Sequence, residues 1–357
     1  MAQSNDSAGM LDLMIQPGFC VKDNLVVRTN AAADSLHIEI GKPVQKLLAT
    51  GKKEYGSFTG GRLYLLLDIH GRRYSASVNR MEDMDVFLID QEDPEALRVL
   101  SLAARELRDP LTSIMTSSNG LFPSLAASGD DRRQEQLARM QRGYYQLLRI
   151  IGNMSDAERY SREQAPAPEY MDITALMAET FAKAGTLLSS SSITLSYSLP
   201  KSPVLGLANK EMLERAVLNL LSNSLKFTPS GGRISAALTK RGNTLRLTVE
   251  DTGSGIPESV RGSIFHRYLR PLSLEDRSQG IGLGMVLIRN TAIHHGGTVL
   301  VECPDGSGTR ITMTMAIRST PDPMVQTPRL RIDYAGELDH SLIELSEILP
   351  ADLYEIK

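Results

Sequence analysis

The stretch NLLSNSLKFTP, residues 219–229, combines polar and apolar residues with the spacing of a helix. Asn219, Asn223 and Lys226 are separated by four and three residues, so on a helix their side chains lie on one face. We expect this helix to extend from Lys210 to Phe227. An Asn-x-x-x-Asn pair alone is usually a solvated or capping face, so the role of the helix depends on the segments around it.

Three further segments follow the predicted helix: DTGSGIP at 251–257, IFHRYLR at 264–270 and GIGLGM at 280–285. Taken singly they are weak signals, because Asp-x-Gly-x-Gly is commonly a turn and a lone glycine-rich run has many explanations. In this order and spacing, the four segments resemble the ATP-binding fold shared by histidine kinases, Hsp90-type chaperones, type II topoisomerases and mismatch-repair ATPases. The resemblance implies a GHKL-type α/β sandwich over residues 169–317 that binds ATP and Mg²⁺.

The same resemblance implies a role for individual residues. Asn223 would coordinate Mg²⁺, a hard ion that prefers oxygen ligands, Lys226 would neutralise phosphate charge and Phe227 would lie against the adenine. Asp251 would accept a hydrogen bond from the adenine amino group. The remaining candidates are glycines that allow close backbone approach or cradle phosphates at a helix N-terminus, and one arginine that would contact phosphate. They are Gly253, Gly255, Gly280, Gly282, Gly284 and Arg270.

The identity of residue 219, an asparagine, indicates which kind of reaction this site performs. In the hydrolytic members of the superfamily, the equivalent position carries a glutamate that activates water, whereas the amide of Asn219 cannot act as a base. We therefore expect phosphoryl transfer or slow turnover rather than fast hydrolysis.

Residues 94–163 predict a helical hairpin. Apolar residues recur at spacings of three and four, the pattern of a coiled-coil-like seam. The first helix carries Leu97, Leu100, Ala104, Leu107, Leu111 and Ile114, and the second carries Leu137, Met140, Tyr144, Leu147, Ile151 and Met154. One hairpin cannot bury both seams fully, so we expect two copies to form a dimeric four-helix bundle.

The segment ARELRDPL, residues 104–111, resembles the phospho-acceptor motif of sensor histidine kinases, His-Glu-Leu-Arg-Thr-Pro-Leu. Glu106 and Pro110 match, but Arg105 replaces the acceptor, and a guanidinium has no nucleophilic lone pair at working pH. Arg105 follows a seam position, so we expect it to face solvent. Asp109 replaces a threonine or asparagine that orients water, and its carboxylate would repel an aspartyl-phosphate, so phosphatase activity is not expected.

The flanking regions are less specific. Residues 1–10 are expected to be disordered, and residues 11–93 resemble a PAS sensor domain in layout: two strands, small helices and a three-stranded antiparallel run that leads into a helix. A small α+β domain that only dimerises is the alternative. In the tail, 318–357, the sequence predicts a strand at Leu330 to Tyr334 and an acidic helix at Ser341 to Leu349. The tail would dock on the ATP domain or recruit another protein.

Composition restricts the class of protein. The chain has 357 residues, enough for two or three domains, and a net charge of −3 gives no reason to expect nucleic acid. Cys20 and Cys303 lie in different predicted domains, which fits a reducing compartment rather than a disulfide framework. The longest apolar stretch, around Leu63 to Ile69, is too short to span a bilayer, so we expect a cytoplasmic protein.

Three functions remain open from the sequence. The first is a two-component histidine kinase that phosphorylates a histidine on a partner, since none of the chain's six histidines lies in the hairpin. Its partners would be a second copy, another histidine kinase in a heterodimer, or a response regulator. The second is a pseudokinase that uses nucleotide occupancy to regulate partner binding. The third, a serine/threonine-type kinase of the same superfamily, is disfavoured because such proteins generally lack the hairpin.

Overall fold

The computed structural model describes residues 11, 14–81, 84–90, 94–126, 131–161, 167–189, 191–261, 264–265, 282–304, 307–319 and 338–354. Four expectations lie outside the described residues: the disordered residues 1–10, Arg270, Gly280 and the strand at 330–334.

The N-terminal region folds around a five-stranded antiparallel sheet with the order β2-β1-β5-β4-β3. Its strands are β1 (Gly18–Lys22), β2 (Leu25–Thr29), β3 (Arg62–Ile69), β4 (Arg72–Arg80) and β5 (Asp85–Ile89). Between β2 and β3 lie two 3-10 helices, Ala31–Leu36 and Val44–Lys46, and a short helix α1, Lys52–Ser57. The core includes Phe19 and Phe87, whose stacked rings are 4.6 Å apart. The chain therefore passes through two strands, short helices and three strands before the hairpin.

Two long helices follow, α2 (Pro94–Ala126) and α3 (Asp131–Ser161), and they pack against each other. Five of the twelve predicted seam residues are buried within the hairpin: Ala104, Leu111, Leu137, Tyr144 and Ile151. Four others are exposed by about half of each side chain: Leu107, Ile114, Met140 and Leu147. One hairpin thus leaves an apolar stripe uncovered, as the pattern predicted.

The C-terminal region is an α/β layer structure. Its main sheet has the order β11-β12-β10-β9-β7, with only β7 and β9 parallel. The strands are β7 (Thr194–Ser198), β9 (Arg233–Arg241), β10 (Thr244–Asp251), β11 (Val299–Glu302) and β12 (Thr309–Ala316); β6 (Glu169–Asp172) and β8 (Leu205–Ala208) form a separate pair. The helices are α4 (Ile173–Leu187), α5 (Lys210–Phe227), α6 (Glu258–Arg261) and α7 (Leu283–His294). Apolar residues of α4, α5 and α7 form one core with the sheet.

The two sheets are continuous, which the sequence did not predict. Strand β3 pairs antiparallel with β11, with Leu63 opposite Leu300, so that one ten-stranded sheet crosses both regions. Beside this joint, the hydroxyl of Tyr64 donates to the backbone oxygen of Arg261 at 2.7 Å. Nη1 of Arg289 lies 2.9 Å from Oδ2 of Asp90, and both side chains are buried. The two regions are therefore connected by backbone pairing and by a buried ion pair.

The hairpin also packs on the C-terminal region. Leu97, Ala157 and Tyr160 form an apolar cluster with Met212 of α5 and with residues of α7. Nε2 of His294 lies 2.9 Å from the backbone oxygen of Tyr160. Within the described part of the chain, no helix is long and apolar enough to cross a membrane.

We predict that His295 makes folding stability depend on pH. Nδ1 of its buried ring lies 2.7 Å from the Thr291 oxygen, and Nε2 accepts from Asn209 N at 3.0 Å, which requires the neutral ring. Burial lowers the pKa of His295 to about 4. Between its ordinary pKa of 6.5 and about 4, the unfolded chain binds more protons than the folded chain. The free energy of unfolding should therefore fall as the pH drops through this range, by roughly 3 kcal/mol in all.

Urea denaturation at pH 7.5 and pH 4.5, compared with His295→Gln, measures this contribution. The substitution should lower stability at pH 7.5 and flatten the difference between the two pH values. His70→Gln, on an exposed turn, is the matched control and should behave as wild type. A His295→Gln protein with the wild-type pH dependence would contradict the assignment.

Candidate functional site

Helix α5 has the bounds expected from the sequence, and its capping explains where it starts. Oδ1 of Asn209 accepts from Met212 N at 3.0 Å, which satisfies one of the free amides of the first turn. Apolar residues such as Leu213 and Leu221 pack into the sheet core. Arg215, at position i−4 from Asn219, extends the polar face of Asn219, Asn223 and Lys226 by one turn.

Asp251, the last residue of β10, lies buried beside α5. Its carboxylate accepts hydrogen bonds from Ser224 Oγ at 3.1 Å, Gly253 N at 3.0 Å and Thr309 N at 3.1 Å. Burial raises the pKa of Asp251, and these three hydrogen bonds oppose that rise. The carboxylate is thus held in one orientation by neighbours on three elements.

The turn after Asp251 approaches the C-terminal end of α5. A Cβ on Gly253 would lie 2.6 Å from the backbone oxygen of Phe227, which leaves no room for a larger residue. Ser254 N donates to the same oxygen at 3.3 Å. Gly255 has a φ of +74°, a region that favours glycine. Phe227 itself is 40% exposed.

The N-terminus of α7 meets the polar face of α5. Gly282 caps the helix with a φ of +84°. A Cβ on Gly284 would lie 2.5 Å from Oδ1 of Asn219. That Oδ1 atom is buried and has no hydrogen-bond partner among the described residues. The first turn of α7 and this amide oxygen of Asn219 therefore lie next to each other.

Asn223 and Lys226 occupy the outer part of this face. Nδ2 of Asn223 donates to Sδ of Met285 at 3.4 Å, which leaves its oxygen for other partners. Nζ of Lys226 pairs with Glu347 of the C-terminal segment. The structure thus brings together most of the predicted ATP-site residues: Asn219, Asn223, Lys226, Phe227, Asp251, Gly253, Gly255, Gly282 and Gly284.

The degenerate acceptor motif lies elsewhere, on α2. Arg105, Glu106 and Asp109 are all exposed, while Ala104 is buried in the hairpin core. The outward orientation expected for Arg105 is therefore what the structure shows.

Sequence reasoning missed the charged residues that surround Arg215. This arginine is fully buried, and it contacts Asp156 of α3 and Glu344 of the C-terminal segment, with Nε 3.0 Å from Glu344 Oε1. Its Nη2 donates to Asn153 Oδ1 at 2.6 Å. The available signals were the position of Arg215 one turn before Asn219, and the acidic pair at 344 and 347 in the predicted tail helix.

Comparison with known proteins places this site in a family. Residues 208–319 match the family model of the histidine kinase-, DNA gyrase B- and HSP90-like ATPases. The histidine protein kinase DivJ of Caulobacter vibrioides is 29% identical over 272 residues, which cover 71% of this chain and 45% of DivJ. The sensor-like histidine kinase SenX3 of Mycolicibacterium smegmatis is 26% identical over 67% of this chain and 62% of its own length. The chain thus spans about half to two thirds of these relatives.

Among solved structures, the mycobacterial sensor histidine kinase MprB is 26% identical, with a TM-score of 0.35 over 43% of this chain and 99% of that one. Full-length ShkA in complex with AMPPNP is 22% identical, with a TM-score of 0.47 over 65% of this chain and 48% of that one.

We predict that Gly253→Ala destabilises the protein by about 1–3 kcal/mol, because the new methyl group would overlap the backbone of Phe227. Gly185→Ala is the matched control: Gly185 lies within α4 with open space around it. There, alanine should stabilise by about 0.5–1 kcal/mol. Thermal and urea unfolding measure both, and equal effects of the two substitutions would contradict the close approach.

Proposed function

Because the chain belongs to the histidine kinase family, we propose that it is a sensor kinase-like protein that binds Mg-ATP and transfers phosphate to a histidine of a partner. The observation that carries the proposal is the assembly on α5. A buried and oriented carboxylate, a lysine, two amides and the N-terminus of α7 meet there, while the acceptor position is an exposed arginine.

The residues present fit a nucleotide. Asp251, held by Ser224, Gly253 and Thr309, would accept from the adenine amino group, and Phe227 would cover the ring. Lys226 would neutralise phosphate charge. The N-terminus of α7 points its backbone N–H groups toward this face of α5, and phosphate is a suitable ligand for such groups. The buried oxygen of Asn219 is an acceptor and would face a donor such as water rather than phosphate.

Mg²⁺ fits the same site when it is bound to the phosphates of the nucleotide. Nucleotide-bound Mg²⁺ needs only one or two protein oxygens, and Asn223 would supply one. Among the described residues, no group of three His, Cys, Asp or Glu side chains is placed to hold a metal by itself. When bound, the ion would reduce the charge on the phosphates, while this chain's residues position them.

The missing acceptor directs the proposal toward a partner. Arg105 cannot take a phosphoryl group, and no histidine of the chain lies in the hairpin. The exposed stripe of Leu107, Ile114, Met140 and Leu147 is a surface on which a second hairpin would complete a four-helix bundle. We propose a homodimer or a heterodimer with another histidine kinase, and a response regulator downstream. The N-terminal unit, 11–93, would be a PAS-like sensor in a cytoplasmic protein.

The second candidate function is a pseudokinase whose nucleotide occupancy controls partner binding. The observation that favours it is the pairing of Lys226 with Glu347, which already neutralises the cation expected to face phosphate.

We predict micromolar binding of Mg-ATP by isothermal titration calorimetry, with the dissociation constant raised about tenfold to a hundredfold in Asp251→Asn. A charged hydrogen bond of this kind contributes roughly 1.5–3 kcal/mol. The asparagine keeps an acceptor oxygen for Gly253 and Thr309, so the fold should persist. Asp23→Asn, in the turn between β1 and β2, is the matched control and should bind as wild type. Absence of binding by the wild-type protein would overturn the proposal.

We also predict that Arg105→His gives the chain its own phospho-acceptor. Incubated with γ-labelled ATP, the variant should acquire acid-labile label in α2, while wild type and Arg105→Gln should not. The double variant Arg105→His/Asp251→Asn should lose the label, which ties it to the chain's own site. If Arg105→His binds Mg-ATP but acquires no label, phosphoryl transfer fails and the pseudokinase function stands.

A further inference from the structure

The C-terminal segment, residues 338–354, is packed between the hairpin and the ATP site. It contains a short helix α8, His340–Glu344, capped by Asp339, and a 3-10 helix, Ala351–Tyr354. Its apolar side chains are buried: Ile343 in the hairpin cluster, and Leu345, Leu349 and Tyr354 in the core of the C-terminal region. The segment is therefore an integral part of the folded structure.

Glu344 places a carboxylate on the polar face of α5. It is fully buried, and its Oε1 accepts from Arg215 Nε at 3.0 Å. Its Oε2 accepts from Asn219 Nδ2 at 3.2 Å and lies 3.4 Å from Arg149 Nε. A carboxylate thus contacts the inner of the two amide residues of the site.

Glu347 places a second carboxylate on the outer part of that face. It pairs with Lys226, and Arg149 Nη1 lies 2.8 Å from its Oε2. Burial by itself raises the pKa of Glu347, but the hydrogen bond from Lys226 and the charge of Arg149 outweigh it and hold the pKa below its usual range. Glu347 is consequently ionised at neutral pH and is a full counter-ion for the lysine.

The two carboxylates flank the position expected to bind Mg²⁺. Asn219, Asn223 and Lys226 follow one another along one helix face, and Glu344 contacts the first while Glu347 contacts the last. A triphosphate bound at Asn223 and Lys226 would lie close to these negative charges. Lys226 would also be neutralised already by Glu347. Like charges a few ångströms apart in a partly buried site repel strongly.

We propose that Glu347 of the C-terminal segment is an intramolecular competitor of the nucleoside triphosphate: it occupies Lys226 until Mg-ATP displaces it, while Glu344 keeps the segment docked on Arg215. The inference rests on the proposed ATP binding. Because the segment belongs to the same chain, its local concentration is high and it competes without a partner. Displacement of Glu347 frees the lysine for phosphate.

The competition also involves the hairpin. Arg142 of α3 donates from Nε to the Ser346 oxygen at 2.9 Å and from Nη2 to the Glu347 oxygen at 2.8 Å. Gln146 Nε2 donates to the same Ser346 oxygen at 3.1 Å. Releasing the segment from Lys226 therefore strains its contacts with α3, and by reciprocity a change in α3 alters nucleotide affinity.

The test is calorimetric titration of the full chain with Mg-ATP, comparing wild type with Glu347→Gln. Glu347 is partly exposed, so the variant should fold, and a melting curve checks this. We expect the dissociation constant to fall about tenfold, because the amide no longer neutralises Lys226. Asp352→Asn removes an acid of the same segment that bonds to its own neighbour, Leu353 N, and should bind Mg-ATP as wild type.

A second measurement follows the segment itself. Hydrogen exchange of wild type should show faster exchange of amides in 346–349 when Mg-ATP is added, while the same region of Asp251→Asn should not respond at equal nucleotide concentration. This readout does not depend on the folding of a tail variant.

Each other outcome has a defined meaning. An unchanged dissociation constant in Glu347→Gln overturns the competition, while binding by wild type keeps the proposed function. Weaker binding in Glu347→Gln would make Glu347 a ligand of the bound Mg²⁺, which also overturns it. If neither protein binds Mg-ATP, the proposed function fails and the competition fails with it.

Discussion

The buried guanidinium of Arg215 is the interaction on which the arrangement of the C-terminal half depends. A charged group that is buried away from water must be paired, because an unpaired buried ion lowers the free energy of unfolding by several kcal/mol. Its partners come from two other parts of the chain: Asp156 and Asn153 on the hairpin, and Glu344 on the C-terminal segment. Because these partners lie on both the hairpin and the segment, undocking either one would remove a carboxylate that pairs with this buried charge. The same helix carries the candidate ATP site, so the geometry of that site depends on both contacts.

A second buried pair ties the N-terminal region to the same site. Asp90, just after β5, pairs with Arg289 of α7, and the ring of Phe265 lies 5.5 Å from that guanidinium. The N-terminus of α7 carries Gly284 against Asn219. A displacement of the first region relative to α7 would therefore move one wall of the candidate phosphate cradle. The continuous sheet makes such a displacement costly, because β3 and β11 would have to separate.

The sequence predicted the features that neighbouring residues determine, but not the contacts between residues far apart in the chain. Helix α5 was predicted with its bounds because the spacing of its polar and apolar residues is local, and the cap that the structure shows, Asn209, is local as well. The seam of the hairpin was predicted as apolar, but periodicity does not say whether Leu107 packs against its own chain or another. The pairing of Leu63 with Leu300 leaves no local pattern, since it joins strands more than 200 residues apart. The docking of Glu344 is of the same kind. An acidic helix was predicted at Ser341 to Leu349, of which the structure forms a helix only over His340–Glu344, and its partner left no local pattern.

The carboxylate of Glu344 bears on whether this site hydrolyses ATP. The position of Asn219 carries a glutamate in hydrolytic relatives, and here a carboxylate from the C-terminal segment lies 3.2 Å from that asparagine. A water-activating base needs an oxygen free to accept the proton of water. Both oxygens of Glu344 already accept from Arg215 and Asn219, and Arg149 adds a further positive charge. These contacts engage both oxygens of the carboxylate. Its proximity to Asn219 therefore does not restore the hydrolytic residue, and the chemistry that fits the site is transfer or regulated binding of the nucleotide.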